Sequence, residues 1–213
     1  MKTKLVIFDL DGTLLNTAKN LQFCVNQALK EYGKPLITLK QTVAFVGNGA
    51  KKLIERAVGD DERVDDVFNT FMGMMKKYPT HLIKPYVQIK TLLKKLKKSG
   101  IKTAVFSNKP HQATELLCGE FFTTCPFDYV LGQKPNAPLK PNPNGVYQIL
   151  KHFNLKNEEC VFVGDGETDA QTALNANVDF VGVLWGFRTK EILKEHGAMQ
   201  FVNAPSEILN FIN

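Results

Sequence analysis

Short apolar runs alternate with helical periodicity along most of this chain. The clearest run covers residues 4–8, and others cover residues 101–106, 161–163 and 180–184, with a weaker one at 129–131. Continuous apolar runs are typical of strands buried on both faces of a parallel sheet. Between several of them, apolar residues recur every three or four positions, as on one face of a helix. The alternation predicts an α/β fold with a doubly wound, mostly parallel sheet.

One stretch, from about residue 16 to residue 81, lacks any convincing strand. Its apolar positions predict one amphipathic helix over residues 21–32 and another over residues 64–75. A shorter helical pattern over residues 53–57 follows a glycine-containing turn. We therefore predict two domains: a core of residues 1–15 and 82–213, and an inserted all-helical domain of residues 16–81.

The net charge of +6 raises the question of nucleic-acid binding. The densest lysine cluster lies within residues 90–98, where the apolar residues Ile89, Leu92, Leu93 and Leu96 form one helical stripe. The lysines then lie on the opposite, solvated face, and no aromatic residues alternate with them as a stacking surface requires. We expect no nucleic-acid partner, and a mildly positive surface also suits anionic metabolites.

No apolar run approaches the roughly 20 residues that span a bilayer. The apolar stretch near the N-terminus is too short for a secretory signal. The four cysteines are scattered without a C-x-x-C pair, which argues against zinc ribbons and redox motifs. We expect a cytoplasmic protein with reduced thiols and no membrane partner.

Carboxylates follow two of the predicted strands directly. Asp9 and Asp11 follow the first apolar run, and Asp165 and Asp169 follow the run at residues 161–163. Ligands of doubly wound sheets bind beyond the carboxyl ends of the strands, so these side chains are expected to meet. Carboxylate and carbonyl oxygens suit Mg²⁺, and no His/Cys cluster favours zinc. Taken singly, each motif is also compatible with an ordinary turn or helix cap.

Two further strand ends carry groups that suit an anion. Ser107 and Asn108 follow the run at residues 101–106, and Lys140 lies in a loop between prolines. A phosphate monoester repels an attacking carboxylate, so phosphoryl transfer needs a bridging cation, fixed positive charge, donors and a proton source. These positions supply the required groups: Asp9 and Asp165 for Mg²⁺, Lys140 for fixed charge, Ser107 and Asn108 as donors, and Asp11 for the proton.

These motifs resemble those of the haloacid dehalogenase superfamily, in its phosphoglycolate phosphatase-like branch. The resemblance covers essentially the whole chain. Residues 8–14 (FDLDGTL) match the most specific motif, and residues 107–110, 139–141 and 163–169 match the other three. Residues 44–50 resemble a segment of the branch's cap domain, and residues 183–187 the stretch after its fourth motif. The resemblance implies a Rossmann-like core with the helical insert as a cap over the substrate.

The resemblance also implies a role for each motif residue. Asp9 is expected to be the nucleophile and a Mg²⁺ ligand, and Asp11 to ligate Mg²⁺ through its backbone carbonyl and exchange the proton through its side chain. Asp165 is expected to complete the metal site, and Asp169 is expected to hold the ligands of that site in place. Ser107 and Asn108 are expected to hold the phosphoryl group, and Lys140 to neutralise it.

Lys51, after the Gly47–Gly49 turn, is a further candidate. Related phosphatases often carry a basic residue there, so it is a candidate for binding a second anionic group of the substrate; the alternative is a solvated surface lysine. Gly166 stands where the family commonly has serine. We interpret this difference as one that adjusts the activity without removing an essential group.

The sequence thus predicts a Mg²⁺-dependent phosphatase that acts on small phosphorylated metabolites, such as phosphoglycolate, through a phosphoaspartate. A β-phosphoglucomutase-like phosphotransferase is the nearest alternative, and a catalytically silent binding protein on the same fold is another. The sequence does not identify the ester or the oligomeric state. Phosphoglycolate, sugar phosphates, nucleoside monophosphates and pyrophosphate all stay open.

Overall fold

The computed structural model describes residues 3–212 and contains a six-stranded parallel sheet with helices on both faces. Two short 3₁₀ segments, Asn157–Glu159 and Pro205–Phe211, complete the regular structure. The strands and helices are, in chain order, β1 (Leu5–Phe8), β2 (Leu15–Asn16), α1 (Ala18–Glu31), α2 (Leu39–Phe45), α3 (Ala50–Val58), α4 (Val64–Lys77), β3 (Lys84–Pro85), α5 (Ile89–Lys98), β4 (Lys102–Pro110), α6 (His111–Phe121), β5 (Tyr129–Gln133), α7 (Asn144–Phe153), β6 (Cys160–Gly164), α8 (Glu167–Ala176), β7 (Asp179–Val183), α9 (Lys190–Glu195) and β8 (Gln200–Val202).

The order of strands in the main sheet is β5-β4-β1-β6-β7-β8, and every neighbouring pair is parallel. The register places Phe8 at the end of β1 beside Val105 of β4 and Val163 of β6. The residues that follow these three central strands therefore leave the sheet at one edge, where doubly wound folds bind their ligands. The predicted mostly parallel sheet is confirmed.

The alternating side chains of β1 explain why its sequence is continuously apolar. Val6 and Phe8 pack into a hydrophobic cluster with α5 and α6 on one face of the sheet, and Leu5 and Ile7 pack with α7 and α8 on the other. All four residues are fully buried. Helices therefore cover both faces of the sheet, and the prediction of a doubly wound core is confirmed.

Helices α1–α4 form a separate hydrophobic cluster of their own. Helix α2 was not predicted; it begins with a capping box in which Thr38 and Gln41 bond each other's backbone N–H groups. Strands β2 and β3 form a small antiparallel ribbon that flanks the helical insert on both sides. The ribbon lies close to the predicted domain boundaries at residues 15/16 and 81/82, which stay a prediction.

The lysine-rich helix, the cysteines and the apolar character of the helices can be compared with the predictions. In α5 the four apolar residues are buried and its lysines are exposed, as the helical stripe predicted. The four cysteines are buried free thiols. Within residues 3–212, no helix combines the length and apolar character that crossing a bilayer requires.

Strand β8, at the edge of the sheet, is the one main-sheet strand of the described residues that the pattern missed.

Candidate active site

Lys140 lies at the centre of a buried cluster of charged side chains at the carboxyl edge of the sheet. Its Nζ donates hydrogen bonds to Asp9 Oδ1 at 2.6 Å, to Asp169 Oδ1 at 2.6 Å and to the Phe106 carbonyl at 3.0 Å. Lys140 is 3% exposed. Burial alone would lower the pKa of Lys140, but the carboxylates of Asp169 and Asp9 raise it above its usual value. The ammonium group is therefore a fixed positive charge.

Asn108 fixes the loop that carries Lys140. The amide oxygen of Asn108 accepts the Lys140 backbone N–H at 2.7 Å, and its Nδ2 donates to the Lys140 carbonyl at 3.1 Å. The same Nδ2 donates to the Gly47 carbonyl, in the helical insert, at 2.9 Å. The side-chain amide of Asn108 thus joins two loops around the site, and its predicted contact with a phosphoryl group stays a prediction.

Asp165 is held by one hydrogen bond to each of its carboxylate oxygens. Thr13 Oγ1 donates to Oδ1 and the Phe187 backbone N–H donates to Oδ2, both at 2.7 Å. Gly12, with φ of +95°, and Gly186 leave space for this carboxylate, because a β-carbon at either position would overlap Asp165. The first motif, the fourth motif and the segment after β7 therefore all contribute to placing one side chain.

Asp169 connects Lys140 to the start of α8. Its Oδ2 accepts the Gly166 backbone N–H at 2.9 Å, in the first turn of the helix, while its Oδ1 accepts from Lys140. Because Gly166 contributes through its backbone, the departure from serine at this position leaves this hydrogen bond intact.

The carboxylates of Asp9, Asp165 and Asp169 can each offer one oxygen within 4.8 Å of the others. Burial raises the pKa of Asp9 to about 7, although the charge of Lys140 opposes this. Burial and the charges of Asp9 and Asp169 likewise raise the pKa of Asp165. Asp9 Oδ2 accepts no hydrogen bond from the described residues. The three buried carboxylates repel one another, and Asp9 Oδ2 is available as a ligand. These properties fit a site for a hard divalent cation such as Mg²⁺.

Lys109 is a site residue to which the sequence assigned no role. Its Nζ donates to both carboxylate oxygens of Asp11, at 3.2 and 3.1 Å, and the side chain is 4% exposed. Ser107 is buried next to it, and its hydroxyl accepts the Lys109 backbone N–H at 3.3 Å. Lys109 lies within the predicted motif at residues 107–110, but only the structure shows that it contacts Asp11.

Arg188 is a second residue that sequence reasoning missed. It forms an ion pair with Glu167, with Nε at 2.6 Å from Oε2. Its Nη1 and Nη2 donate to the carbonyls of Val43 at 2.7 Å and Val46 at 2.5 Å, at the end of α2. Arg188 therefore joins the core to the helical insert beside the cleft. Its position, five residues beyond the end of β7, gave no recognisable signal.

The structure does not bring Lys51 to the cleft. The Lys51 ammonium forms an ion pair with Asp65 and lies 4.9 Å from the centre of the Phe68 ring, on the outside of the helical insert. The cleft wall is formed instead by side chains of the central site and by apolar residues of α1, α3 and α4. The sequence placed Lys51 next to the Gly47–Gly49 turn, but helix α3 directs its side chain away from the cleft.

Comparisons with known proteins assign the chain to a family. The profile of the haloacid dehalogenase-like hydrolases matches residues 6–183. The chain belongs to this family. The resemblance inferred from the motifs is thereby confirmed, and the chain is a hydrolase by family.

Relatives of this haloacid dehalogenase-like hydrolase match it over nearly its full length. A phosphoglycolate phosphatase of Colwellia psychrerythraea is 29% identical, covering 97% of this chain and 95% of the relative. A phosphoglycolate phosphatase of Pseudomonas savastanoi is 32% identical, covering 92% and 75%. The crystal structure of a predicted phosphoglycolate phosphatase from Haemophilus somnus superimposes with a TM-score of 0.93 at 27% identity, covering 100% and 99%.

Proposed function

We propose that this hydrolase is a Mg²⁺-dependent phosphatase that cleaves small phosphate monoesters through a phosphoaspartate on Asp9. The observation that carries the proposal is the contact of Lys140 with Asp9 and Asp169 inside a buried group of three carboxylates. The phosphoglycolate phosphatase names of full-length relatives support phosphate monoesters as the class of substrate.

The side chains of Asp9 and Asp165 and the backbone carbonyl of Asp11 are the proposed ligands of the metal, and Asp169 supports them. Mg²⁺ bound there would polarise the phosphoryl oxygens and reduce their repulsion of the nucleophile. The fixed charge of Lys140 does the same from the protein side. The ammonium group can do this while held by Asp169, which keeps it beside the nucleophile.

In the first step, a carboxylate oxygen of Asp9 forms a bond to phosphorus. The bond between phosphorus and the ester oxygen breaks, its electron pair stays with that oxygen, and Asp11 donates the proton that yields the alcohol. In the second step, Asp11 accepts a proton from water, whose oxygen attacks phosphorus. The bond to Asp9 breaks, and inorganic phosphate leaves with the carboxylate of Asp9 regenerated.

Ser107 and Asn108 are proposed to orient the phosphoryl group, since both lie at the end of β4 beside Asp9. Lys109 holds Asp11 through both carboxylate oxygens. The helical insert is proposed to act as a cap that excludes water from the site, and Asn108 and Arg188 already contact it.

Removal and replacement of the metal test this proposal. EDTA should abolish release of phosphate from p-nitrophenyl phosphate, and Mg²⁺ should restore it. Ca²⁺ should fail to restore it, because its longer and looser coordination misplaces the nucleophile. Release of inorganic phosphate without an added acceptor would distinguish a phosphatase from a phosphomutase. Full turnover by EDTA-treated, metal-free protein would contradict the metal dependence.

A further inference from the structure

The cap side of the cleft is apolar. Seven apolar side chains from α1, α3, α4 and the loop after α2 line it, together with the backbone of Gly47 and Gly49. They are Leu21, Val46, Ala50, Leu53, Phe71, Met72 and Met75. Among the described residues, no charged side chain of the helical insert lines the cleft.

The charged residues that line the cleft within residues 3–212 belong to the core, and the cations among them are already paired. Lys140 contacts Asp9 and Asp169, Lys109 contacts Asp11, and Arg188 contacts Glu167. Arg188 also uses its remaining nitrogens on two backbone carbonyls. Counted over the lining, five carboxyl groups face three cationic side chains. With all five carboxyl groups ionised, a divalent cation would bring the lining only to neutrality, with the phosphate dianion still to be bound.

A carboxylate on the alcohol part of a substrate would therefore meet an apolar wall without a free cation. Burying an ionised group without a partner is costly, whereas burying hydrocarbon against methionine and leucine is favourable. Methionine side chains also adapt to differently shaped apolar groups. Lys51, the one cap residue expected to meet a second anion, is paired with Asp65 outside the cleft.

We infer that the preferred substrates are monoesters of uncharged, apolar alcohols or phenols, and that Met72 and Met75 help to set this preference. The inference rests on the proposed phosphatase function and narrows its substrate class. The phosphate would lie among the core residues, and the alcohol part would lie against α4 of the cap. Esters whose alcohol part carries a second anionic group, such as phosphoglycolate, would be poorer substrates of this chain.

A matched pair of esters tests the inference. Phenyl phosphate and 4-carboxyphenyl phosphate share their shape near phosphorus and differ by one remote negative charge. With Mg²⁺ present, kcat/KM for phenyl phosphate should exceed that for the carboxylated ester by about tenfold or more, the scale of discrimination that a pocket reaches through one group. Phosphoglycolate should also fall below propyl phosphate. Equal or higher kcat/KM for the charged member of each pair would overturn the inference.

Variants that place a cation on the cap side of the cleft test whether this surface sets the substrate preference. Met75→Lys and, separately, Met72→Lys keep an unbranched side chain in α4 and should shift the ratio toward the carboxylated ester by about tenfold. Asn69→Lys adds the same charge to an exposed position of α4 outside the cleft and should leave the ratio unchanged. An unchanged ratio in both methionine variants would exclude this wall as the determinant and contradict the inference.

The outcome also separates this inference from the proposed function. Hydrolysis of p-nitrophenyl phosphate together with a preference for charged esters refutes the apolar subsite alone. Absence of phosphate release from every ester, with Mg²⁺ present, refutes the phosphatase assignment and the subsite with it.

Discussion

The two walls of the cleft are built on opposite principles. On the core side, charged groups lie within hydrogen-bond distance of one another: Lys140 contacts Asp9 and Asp169 at 2.6 Å each. On the cap side, side chains such as Met72 and Met75 offer hydrocarbon and sulfur only. The core wall thus presents fixed charges, while the cap wall presents an apolar surface.

This difference separates the chemistry from the selection of substrate. A phosphoryl group is the same in every monoester, and the residues proposed to bind and transfer it are held in fixed positions at the ends of three strands. The alcohol part varies, and in the proposed binding mode it would contact the helical domain, which has its own hydrophobic cluster. Substitutions on the core side should therefore affect all esters alike, and substitutions on the cap side should change their ranking.

The largest effect is expected for Asp9→Asn. An amide is a poor nucleophile and carries no charge for a cation, so kcat should fall by at least about 10³-fold on every ester, as expected when a nucleophile is removed. The measurement is steady-state phosphate release, with circular dichroism to verify folding. Residual activity within tenfold of the unsubstituted protein would contradict the nucleophile assignment.

Asp11→Asn should reduce kcat by about 10²–10⁴-fold, the usual contribution of a general acid–base group. The loss in the phosphoryl-transfer step should be smaller for p-nitrophenyl phosphate than for an alkyl phosphate, because p-nitrophenolate leaves without a proton. Single-turnover kinetics on both esters measure this difference. The Mg²⁺ concentration at half-maximal activity serves as a control and should change little, since the proposed ligand is the backbone carbonyl. Equal losses on the two esters would argue against a proton donor.

Arg188→Ala should loosen the connection between the two walls. The variant removes the hydrogen bonds from the guanidinium to the Val43 and Val46 carbonyls. Hydrogen bonds to charged groups typically contribute ~1.5–3 kcal/mol, so kcat/KM should fall about 10- to 100-fold on all esters.

Hydrogen exchange at residues 43–50 should become faster in Arg188→Ala. Lys190→Ala, an exposed neighbour that does not line the cleft, should leave the exchange unchanged. Unaltered exchange in both variants would show that Arg188 does not hold the cap.

The smallest effect is expected for Lys51→Ala. Because Lys51 pairs with Asp65 outside the cleft, KM should change less than about twofold, the level of ordinary surface substitutions. The measurement compares phosphoglycolate with p-nitrophenyl phosphate. An increase in KM confined to phosphoglycolate would restore Lys51 as a substrate-binding residue and weaken the contrast between the walls.

The positions of Asp9, Asp165, Ser107 and Lys140 could be predicted because each follows a strand or a motif with a fixed place at the edge of a parallel sheet. Local sequence specifies those strands through their buried apolar runs. Strand β8 was missed because only one of its three residues, Val202, is buried, which leaves little pattern to detect.

Contacts between residues far apart in the sequence could not be predicted from local patterns. Lys109 contacts a carboxylate 98 positions away, and Arg188 contacts carbonyls more than 140 positions away. The Arg188 contacts depend on how the helical insert folds back onto the core, and the Lys109 contact depends on the pairing of β1 with β4 inside the core. Met72 and Met75 belong to the amphipathic pattern predicted over residues 64–75, but helical periodicity cannot distinguish a residue of the core from one that lines a cleft.

Trapping the covalent intermediate tests whether Asp9 is the nucleophile. Protein mixed with Mg²⁺ and p-nitrophenyl phosphate is quenched in acid within the first turnover, and its peptides are mapped by mass spectrometry. We expect a phosphoryl group on Asp9 that forms and decays at rates consistent with kcat, and none in Asp9→Asn. Phosphate found on another residue, or complete single-turnover release without any phosphorylated peptide, would contradict it.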